Sequence, residues 1–249
     1  MKVRLSVIVG VLIASIIAFA GEKALITNPP LTRGYDVLYG GYKIGKIDLT
    51  RSQPYVYEGR PVTELECRIE SSAIIEHKGL YQSIVTGDYT VLYLLSDVST
   101  GGERRLDEYW FDYKNEKIRF KSRIPGKGET SNRQYDFNDA SARYFDTISL
   151  IFRLRDGLDT LKAPFYIPVF VYSRPDSILI ESITDDLVVM PDGRSASAKH
   201  VGGKILFATY PGIGDRFDIF ISDDADRMPL KAVMQMAVGK IEILPRAAN

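Results

Sequence analysis

Cysteine and histidine are scarce in this sequence, which holds one Cys and two His among 249 residues. A single Cys, Cys67, cannot form an internal disulfide, and it excludes a zinc site built from several thiolates. Imidazole chemistry is limited to His77 and His200. The sequence therefore indicates no metal site and no cofactor.

An excess of positive charge is also missing, because 32 Lys and Arg are balanced by 32 Asp and Glu. Proteins that bind nucleic acid without sequence preference need a positive surface to neutralise phosphates. The charge balance therefore predicts no nucleic-acid partner. The apolar content of 45% is normal for a chain that buries a core.

Only one long apolar run occurs, from Leu5 to Phe19, and it follows Lys2 and Arg4 and ends in Ala18-Phe19-Ala20. This order of features is typical of a secretory signal peptide. The run is shorter than the roughly 20 residues that a membrane-spanning helix needs. We predict that residues 1–20 are a cleaved signal peptide and that the mature chain is exported without a transmembrane span.

Alternating apolar and polar residues dominate the chain after residue 34, a pattern typical of antiparallel strands with one buried face. Residues 35–49 predict a β-hairpin, 21–33 an extended lead, and 125–134 a mobile loop. Gly202-Gly203 predicts a turn. Further strands are predicted at about 62–75, 88–95, 107–113, 116–124, 165–172, 177–183, 186–190, 196–201, 204–209, 215–221, 229–237 and 239–244.

Helical spacing replaces this alternation after Asp146, where apolar residues recur at Ile148, Ile151 and Phe152 and at Leu150, Leu154 and Leu158. Asp146 suits the N-cap and Gly157 the C-terminal stop. The apolar arc is broad, which favours a helix packed inside a curved sheet. We predict a mainly β, single domain over 34–249: a curved antiparallel sheet or open β-barrel packed around one main α-helix.

Residues able to carry chemistry are few. Cys67 alternates with Leu65 and Ile69, which indicates a buried, inert thiol. His77 and His200 are interpreted as surface residues, with the alternative that one pairs with a carboxylate across strands as a general base. Gly212-Ile-Gly214 lacks a third glycine and a following helix, so it does not indicate a phosphate loop. No catalytic residue is assigned.

Two further patterns leave alternatives open. Asp223, Asp224 and Asp226 predict a hairpin turn in which Asp224 or Asp226 pairs with Arg227, and the alternative is a site for a hard cation such as calcium. The 15 tyrosines, many at strand positions, indicate either a filled core or an apolar groove for a hydrophobic ligand.

Three segments resemble the bacterial exported family catalogued as domain of unknown function 3108. Tyr35-Asp-Val-Leu-Tyr-Gly-Gly-Tyr-Lys-Ile-Gly is similar to its opening hairpin, and the segment from Asp146 to Arg155 to its helix motif. The segment from Phe217 to Pro229, with the strand that closes at Leu244, resembles its Ser-x-Asp…Arg-x-Pro signature. Thr147 departs from the usual Pro, and either residue suits the first helical position.

The resemblance implies a curved sheet around one helix and export to a Gram-negative periplasm. It implies framework roles for seven motif residues, which are Asp146, Ser149, Arg155, Ser222, Asp224, Arg227 and Pro229. The leading hypothesis is a non-enzymatic envelope protein that binds a hydrophobic or amphipathic ligand or an envelope-assembly partner. The alternatives are an exported hydrolase or polysaccharide-modifying enzyme that uses carboxylates and a His, and a structural scaffold with protein partners.

Overall fold

A computed structural model describes residues 30–71, 76–137, 142–171, 174–206 and 213–246. The predicted signal peptide and residues 21–29 of the predicted lead lie outside these ranges. Within them the chain forms fifteen strands and one α-helix. No helix among these residues combines the length and apolar character needed to cross a membrane.

The first nine strands precede the helix, and six follow it. They are β1 Leu31–Tyr39, β2 Tyr42–Arg51, β3 Tyr55–Tyr57, β4 Arg60–Ser71, β5 His77–Val85, β6 Val91–Thr100, β7 Glu103–Asp112, β8 Lys117–Ile124 and β9 Gly128–Asp136. After helix α1, Thr147–Gly157, come β10 Phe165–Val171, β11 Arg174–Val189, β12 Ser195–Ile205, β13 Ile213–Ser222, β14 Pro229–Met236 and β15 Lys240–Pro245.

All fifteen strands belong to one antiparallel sheet, in the order β10-β11-β12-β13-β14-β15-β1-β2-β4-β5-β6-β7-β8-β9, with β3 beside β4. The chain returns to the middle of the sheet when β15 pairs with β1, where Val37 lies opposite Ile243. This pairing joins the strands before the helix to those after it. The predicted mainly β, antiparallel fold is confirmed.

The sheet curves until its two edge strands meet through side chains. Tyr135 of β9 and Phe170 of β10 have ring centroids 6.1 Å apart at an angle of 64°. Phe145, just before the helix, forms a parallel bridge with Val169 of β10. Aromatic packing therefore closes the curve where the ladder of backbone hydrogen bonds ends, and the sheet is an open barrel.

Helix α1 begins and ends close to its predicted limits, with Asp146 as N-cap. Its apolar side chains are buried over a broad arc, including Ile148, Leu150, Phe152 and Leu154. The helix packs against the inner face of the sheet, as the arc of apolar residues predicts.

The predicted loop at 125–134 is wrong, because β8 and β9 form a hairpin there. Gly126 and Gly128 adopt positive φ angles in the turn, and Lys127 N donates to the Ile124 carbonyl at 2.9 Å. Strand β9 lies at the sheet edge, and most of its side chains are exposed. Such a strand carries no apolar alternation, so its sequence looks like that of a loop.

The predicted turn at Gly202-Gly203 is also wrong, since both glycines lie inside β12. A Cβ atom on Gly203 would lie 2.4 Å from Phe217 Cζ and 2.6 Å from the Leu179 carbonyl. Gly203 therefore allows a neighbouring ring and strand to approach the backbone, and it does not reverse the chain.

Other boundaries differ because glycine and short polar stretches do not always end a strand. The two strands predicted at 177–183 and 186–190 form the single strand β11. No strand was predicted where β5 begins at His77. Strand β1 begins at Leu31, so the last residues of the predicted lead belong to the sheet.

Candidate functional site

An apolar pocket lies between α1 and the inner face of the sheet. Its cavity volume is about 60 Å³, and it opens to solvent. The helix contributes Ile151 and Leu154, which lie on one face because they are three residues apart. The sheet side comes from β1, β2, β13, β14 and β15 and includes Tyr35, Ile47, Leu49, Ile219, Ala232 and Ile243.

The strand period explains this lining. In β14 and β15, Ala232 lies opposite Ile243 and Met234 opposite Ile241, and all four side chains line the pocket. Lys231 and Glu242 alternate with them and form an ion pair at 3.1 Å. One face of this hairpin is therefore charged and the other apolar, and the apolar face turns toward the helix.

The interior of the barrel contains both a filled core and an apolar groove. Aromatic side chains fill the part of the barrel near the edge strands, where Tyr109, Phe111 and Phe170 pack ring against ring. On the other side, beneath α1, the pocket-lining side chains Ile151, Ala232 and Ile243 stay partly exposed. Ligand sites are typically concave and apolar, but most enclose about 300–1,000 Å³, so a cavity of about 60 Å³ admits only a small apolar group or part of a chain unless α1 moves.

Asp146 lies at the buried N-terminal end of α1. Its carboxylate accepts hydrogen bonds from Ile148 N at 2.7 Å and Ser149 N at 2.9 Å, and it also accepts one from the Ser83 hydroxyl of β5. Ser149 Oγ in turn accepts from Asp146 N at 3.0 Å, which completes a capping box. Burial raises the pKa of Asp146 above its ordinary value, although these hydrogen bonds oppose the shift.

Replacing Asp146 is expected to separate its capping role from its charge. Asp146→Ala should lower the free energy of unfolding by about 1–3 kcal/mol, because it leaves buried N–H groups without an acceptor. Asp146→Asn keeps an acceptor and should cost less. Denaturant unfolding measured by circular dichroism checks both variants.

The pH dependence of stability gives a second test of Asp146, through the comparison of wild type with Asp146→Asn. A carboxyl whose pKa is raised by folding stabilises the protein at low pH, and that stability is lost as the pH rises through the folded pKa. The stability of wild type relative to Asp146→Asn should therefore fall as the pH rises from the ordinary Asp range. If the stability of wild type relative to Asp146→Asn instead rises with pH, folding does not raise the pKa of Asp146.

A buried polar network lies at the other end of α1, and sequence analysis did not find it. Arg51, at the end of β2, is 1% exposed and donates from Nη1 to Tyr89 Oη at 3.1 Å and to Asp156 Oδ2 at 3.3 Å. The Tyr89 hydroxyl also donates to Asp156. The Arg51 guanidinium lies 5.5 Å from the Phe152 ring centroid. The network ties β2 and the 86–90 turn to the helix.

No local signal in the sequence marks this network, because its members are far apart along the chain. The strand predicted at 88–95 includes Tyr89, yet Tyr89 adopts a φ of 66° in the turn before β6. Burial, and then the neighbouring Asp156 carboxylate, raises the pKa of its phenol. Only the fold brings Tyr89 to Arg51.

Arg155 joins the helix to the turn between β13 and β14. Its Nε donates to the Asp226 carbonyl at 2.9 Å, and its Nη1 lies 3.7 Å from Asp156 Oδ1. Nη1 is buried and makes no hydrogen bond. Burial lowers the pKa of Arg155, and the Asp156 carboxylate opposes that shift.

The acidic residues after β13 form the predicted hairpin turn, with a different ion pair. Asp224 Oδ1 accepts from Ser222 Oγ at 2.8 Å and from the backbone N–H groups of Asp226 and Arg227, both at 3.0 Å. The Arg227 guanidinium pairs with Asp159 after the helix, so the predicted pairing with Asp224 or Asp226 is wrong. The tertiary fold supplies a carboxylate that the local sequence does not show.

The alternative of a cation site finds no cluster to support it. Among the residues described, no group of three or more His, Cys, Asp or Glu side chains is placed to hold a metal ion.

Pro229 begins β14 and lines the pocket beside Ile221.

The buried position of His77 contradicts the predicted surface position, whereas His200 stays partly exposed and pairs with a carboxylate on the neighbouring strand, as the alternative predicted. His77 is buried, with Nδ1 3.0 Å from Thr100 Oγ1, and burial lowers the pKa of its imidazole. His200 Nε2 lies 2.8 Å from Asp218 Oδ1, and its ring stacks on Phe220 at 4.6 Å. The two histidines lie on different strands and do not pair with each other. Cys67 is buried and free, and burial raises the pKa of its thiol.

Comparisons with known proteins agree with the fold and leave the activity open. The family model described as "Protein of unknown function (DUF3108)" matches residues 34–244. A crystal structure of a beta-barrel-like protein of domain of unknown function DUF1849 from Brucella abortus has a TM-score of 0.57 and 8% sequence identity, over 90% of this chain and 98% of that chain. No curated protein matches the sequence. The structural similarity at this identity shows a shared fold alone.

Proposed function

Since the chain belongs to the DUF3108 family, for which no activity is assigned, we propose from its geometry that it is a non-enzymatic exported envelope protein that binds a hydrophobic or amphipathic ligand. The observation that supports binding is the apolar pocket between α1 and strands β1, β2 and β13–β15. Export is proposed from the signal-like sequence of residues 1–20, and a Gram-negative periplasm from the family resemblance.

The physical reason for binding is the unfilled apolar space beside a well-packed core. Interiors normally reach the packing density of organic crystals. Here the side chains of Leu154 and Ile219 are buried, while Ile151 on the same face of the helix and Ala232 on β14 remain partly exposed. A ligand that covers these surfaces gains free energy from apolar burial at about 25 cal/mol per Å².

The hydrolase alternative has one observation in its favour, the His200–Asp218 pair. Such a pair suits a general base when a substrate can reach it. However, Val201 and Ile219 next to these residues point into the core, so the pair lies on the opposite, outer face of the sheet. His200→Ala would abolish turnover if the pair were catalytic, and the pocket is the better-supported site. A scaffold with protein partners remains the other alternative.

Native mass spectrometry of protein purified without detergent tests the proposal. Wild-type protein is expected to carry a reproducible extra mass that is lost on mild denaturation. Ala232→Trp places an indole in the pocket and should remove that mass, because the ligand and the ring compete for one space. A wild-type protein without any bound mass would count against the proposal.

A matched control uses the same substitution outside the pocket. Val238 is 75% exposed in the turn between β14 and β15. Val238→Trp adds the same ring to that hairpin and should retain the bound mass. Loss of the mass in both variants would point to a general disturbance of the hairpin, and the proposal would lose this support.

A further inference from the structure

We propose that two neighbouring hairpin turns at one end of the barrel dock the protein on the surface of an anionic phospholipid membrane. These paired tips comprise residues 39–43 of the β1–β2 hairpin and residues 237–240 of the β14–β15 hairpin. Such docking does not involve the pocket, so it goes beyond the proposed ligand binding.

Strand pairing places the paired tips side by side. β15 lies between β14 and β1, and Tyr39 at the end of β1 pairs with β15 close to its first residue. Gly40 and Gly41 turn the first hairpin with φ angles of 57° and 84°, and Gly239 turns the second with 75°. Tyr39 Oη donates to the Val238 carbonyl at 2.7 Å. The two turns therefore form one continuous surface.

The paired tips carry the two most exposed large apolar side chains of the residues that the structure describes. Tyr42 is 81% exposed and Val238 is 75% exposed. Tyr39 lies opposite Tyr42 across its hairpin and is also partly exposed. Single exposed apolar residues are common on proteins, but here three lie together on adjacent turns and form a patch.

Positive charges flank this patch. Lys43 and Lys240 lie within two residues of the exposed Tyr and Val, and their side chains are half-exposed. Their partners Asp36 and Glu242 are less exposed and lie further from the turns along the chain. Glu242 is also shared with Lys231. Tyrosine and apolar side chains bordered by ammonium groups are typical of surfaces that bind anionic lipid head groups.

A membrane surface fits the paired tips better than a second copy of the chain does. A stable protein interface buries about 800 Å² on each partner. Complete cover of Tyr42, Val238 and the exposed part of Tyr39 removes only on the order of 400 Å² from water. Lipids need no complementary protein surface, because head groups and acyl chains adapt to the side chains. The glycine backbone of the turns stays hydrated at the level of the head groups.

Co-sedimentation with vesicles of equimolar phosphatidylglycerol and phosphatidylcholine tests this docking. The protein is used as the expressing cell processes it, and all variants share the same N-terminus. Wild type should bind, and added salt should weaken binding because it screens the ammonium groups. Tyr42→Ser/Val238→Ser should lower the partition coefficient by about tenfold or more, because both inserted apolar side chains are lost.

A matched control removes the same two residue types from the other end of the barrel. Tyr55 and Val56 are exposed on β3, which pairs with the start of β4. The paired tips lie toward the end of β4, where Ser71 is opposite Gly45. Tyr55→Ser/Val56→Ser should leave vesicle binding within about twofold. Circular dichroism checks that each variant is folded.

Two further measurements separate charge from insertion. Lys43→Gln/Lys240→Gln should weaken binding to the anionic vesicles by about fivefold or more and change binding to phosphatidylcholine vesicles little. Val238→Trp should show a blue shift of indole emission when vesicles are added, whereas Val56→Trp should not. The single native tryptophan, Trp110, contributes equally to both variants.

The outcomes decide between membrane docking and its alternatives. Absence of wild-type binding, or equal losses in the tip and control double variants, would overturn it. Binding that depends on the lysines but not on Tyr42 and Val238 would show adsorption by charge alone, which also overturns it. A dimer that Tyr42→Ser/Val238→Ser dissociates would identify a second copy as the occupant. The bound mass expected from the pocket is measured without a membrane, so failure of docking and failure of ligand binding are distinguishable.

Discussion

Arg51→Met is expected to lower the free energy of unfolding by about 3–5 kcal/mol, the range for removing one partner of a buried ion pair. Arg51 is 1% exposed, and its guanidinium connects Tyr89 and Asp156. Methionine preserves much of the side-chain volume but leaves the phenol and the carboxylate without their shared cation. Guanidinium denaturation followed by circular dichroism measures the effect.

An exposed ion pair provides the control for this prediction. Arg104 binds the Asp97 carboxylate through Nε at 2.8 Å, with a second bond at 2.5 Å, but its side chain is 59% exposed. Arg104→Met should therefore cost less than about 1 kcal/mol. If both variants lose the same free energy of unfolding, the buried Arg51 ion pair stabilises the protein no more than an exposed ion pair does.

Leu154→Ala is expected to lower the free energy of unfolding by about 2–5 kcal/mol, because it removes a fully buried side chain between α1 and the sheet. The same change widens the pocket, since Leu154 forms part of its helix wall. Partial collapse of the helix onto the sheet would place the loss at the lower end of this range. Thermal and denaturant unfolding measure the stability.

The exposed Val238 serves again as a reference position. Val238→Ala should change the stability by less than about 0.5 kcal/mol, because no buried contact is lost. A loss below about 1 kcal/mol in Leu154→Ala would contradict close packing of Leu154 between helix and sheet.

The sequence predicted the parts of the fold that depend on local patterns. Alternation of Tyr35, Val37 and Tyr39 identified the first strand, and the helical spacing after Asp146 identified α1 with its cap. These elements bury one face each, so their periodicity is visible in the residues themselves. Strand β9 and the glycines of β12 were misread because neither a solvated edge strand nor a close backbone approach leaves such a period.

The candidate site was only partly visible in the sequence. An apolar groove could be proposed from the aromatic and aliphatic strand residues, but its separation from the filled core depends on how far α1 lies from β14 and β15. Arg155 appeared as a framework residue. Its hydrogen bond to the carbonyl of Asp226, which lies 71 residues further along the chain, depends on the tertiary fold.

By itself, therefore, the sequence determined an antiparallel β domain with one buried helix, because hydrophobic periodicity and helix capping act over a few residues. Only the tertiary structure decided that His200 meets Asp218, that Arg51 meets Tyr89 and Asp156, and that an apolar pocket remains under the helix. The reason is that these features depend on sheet curvature and long-range packing, and residues distant in sequence become neighbours only when the sheet closes around the helix.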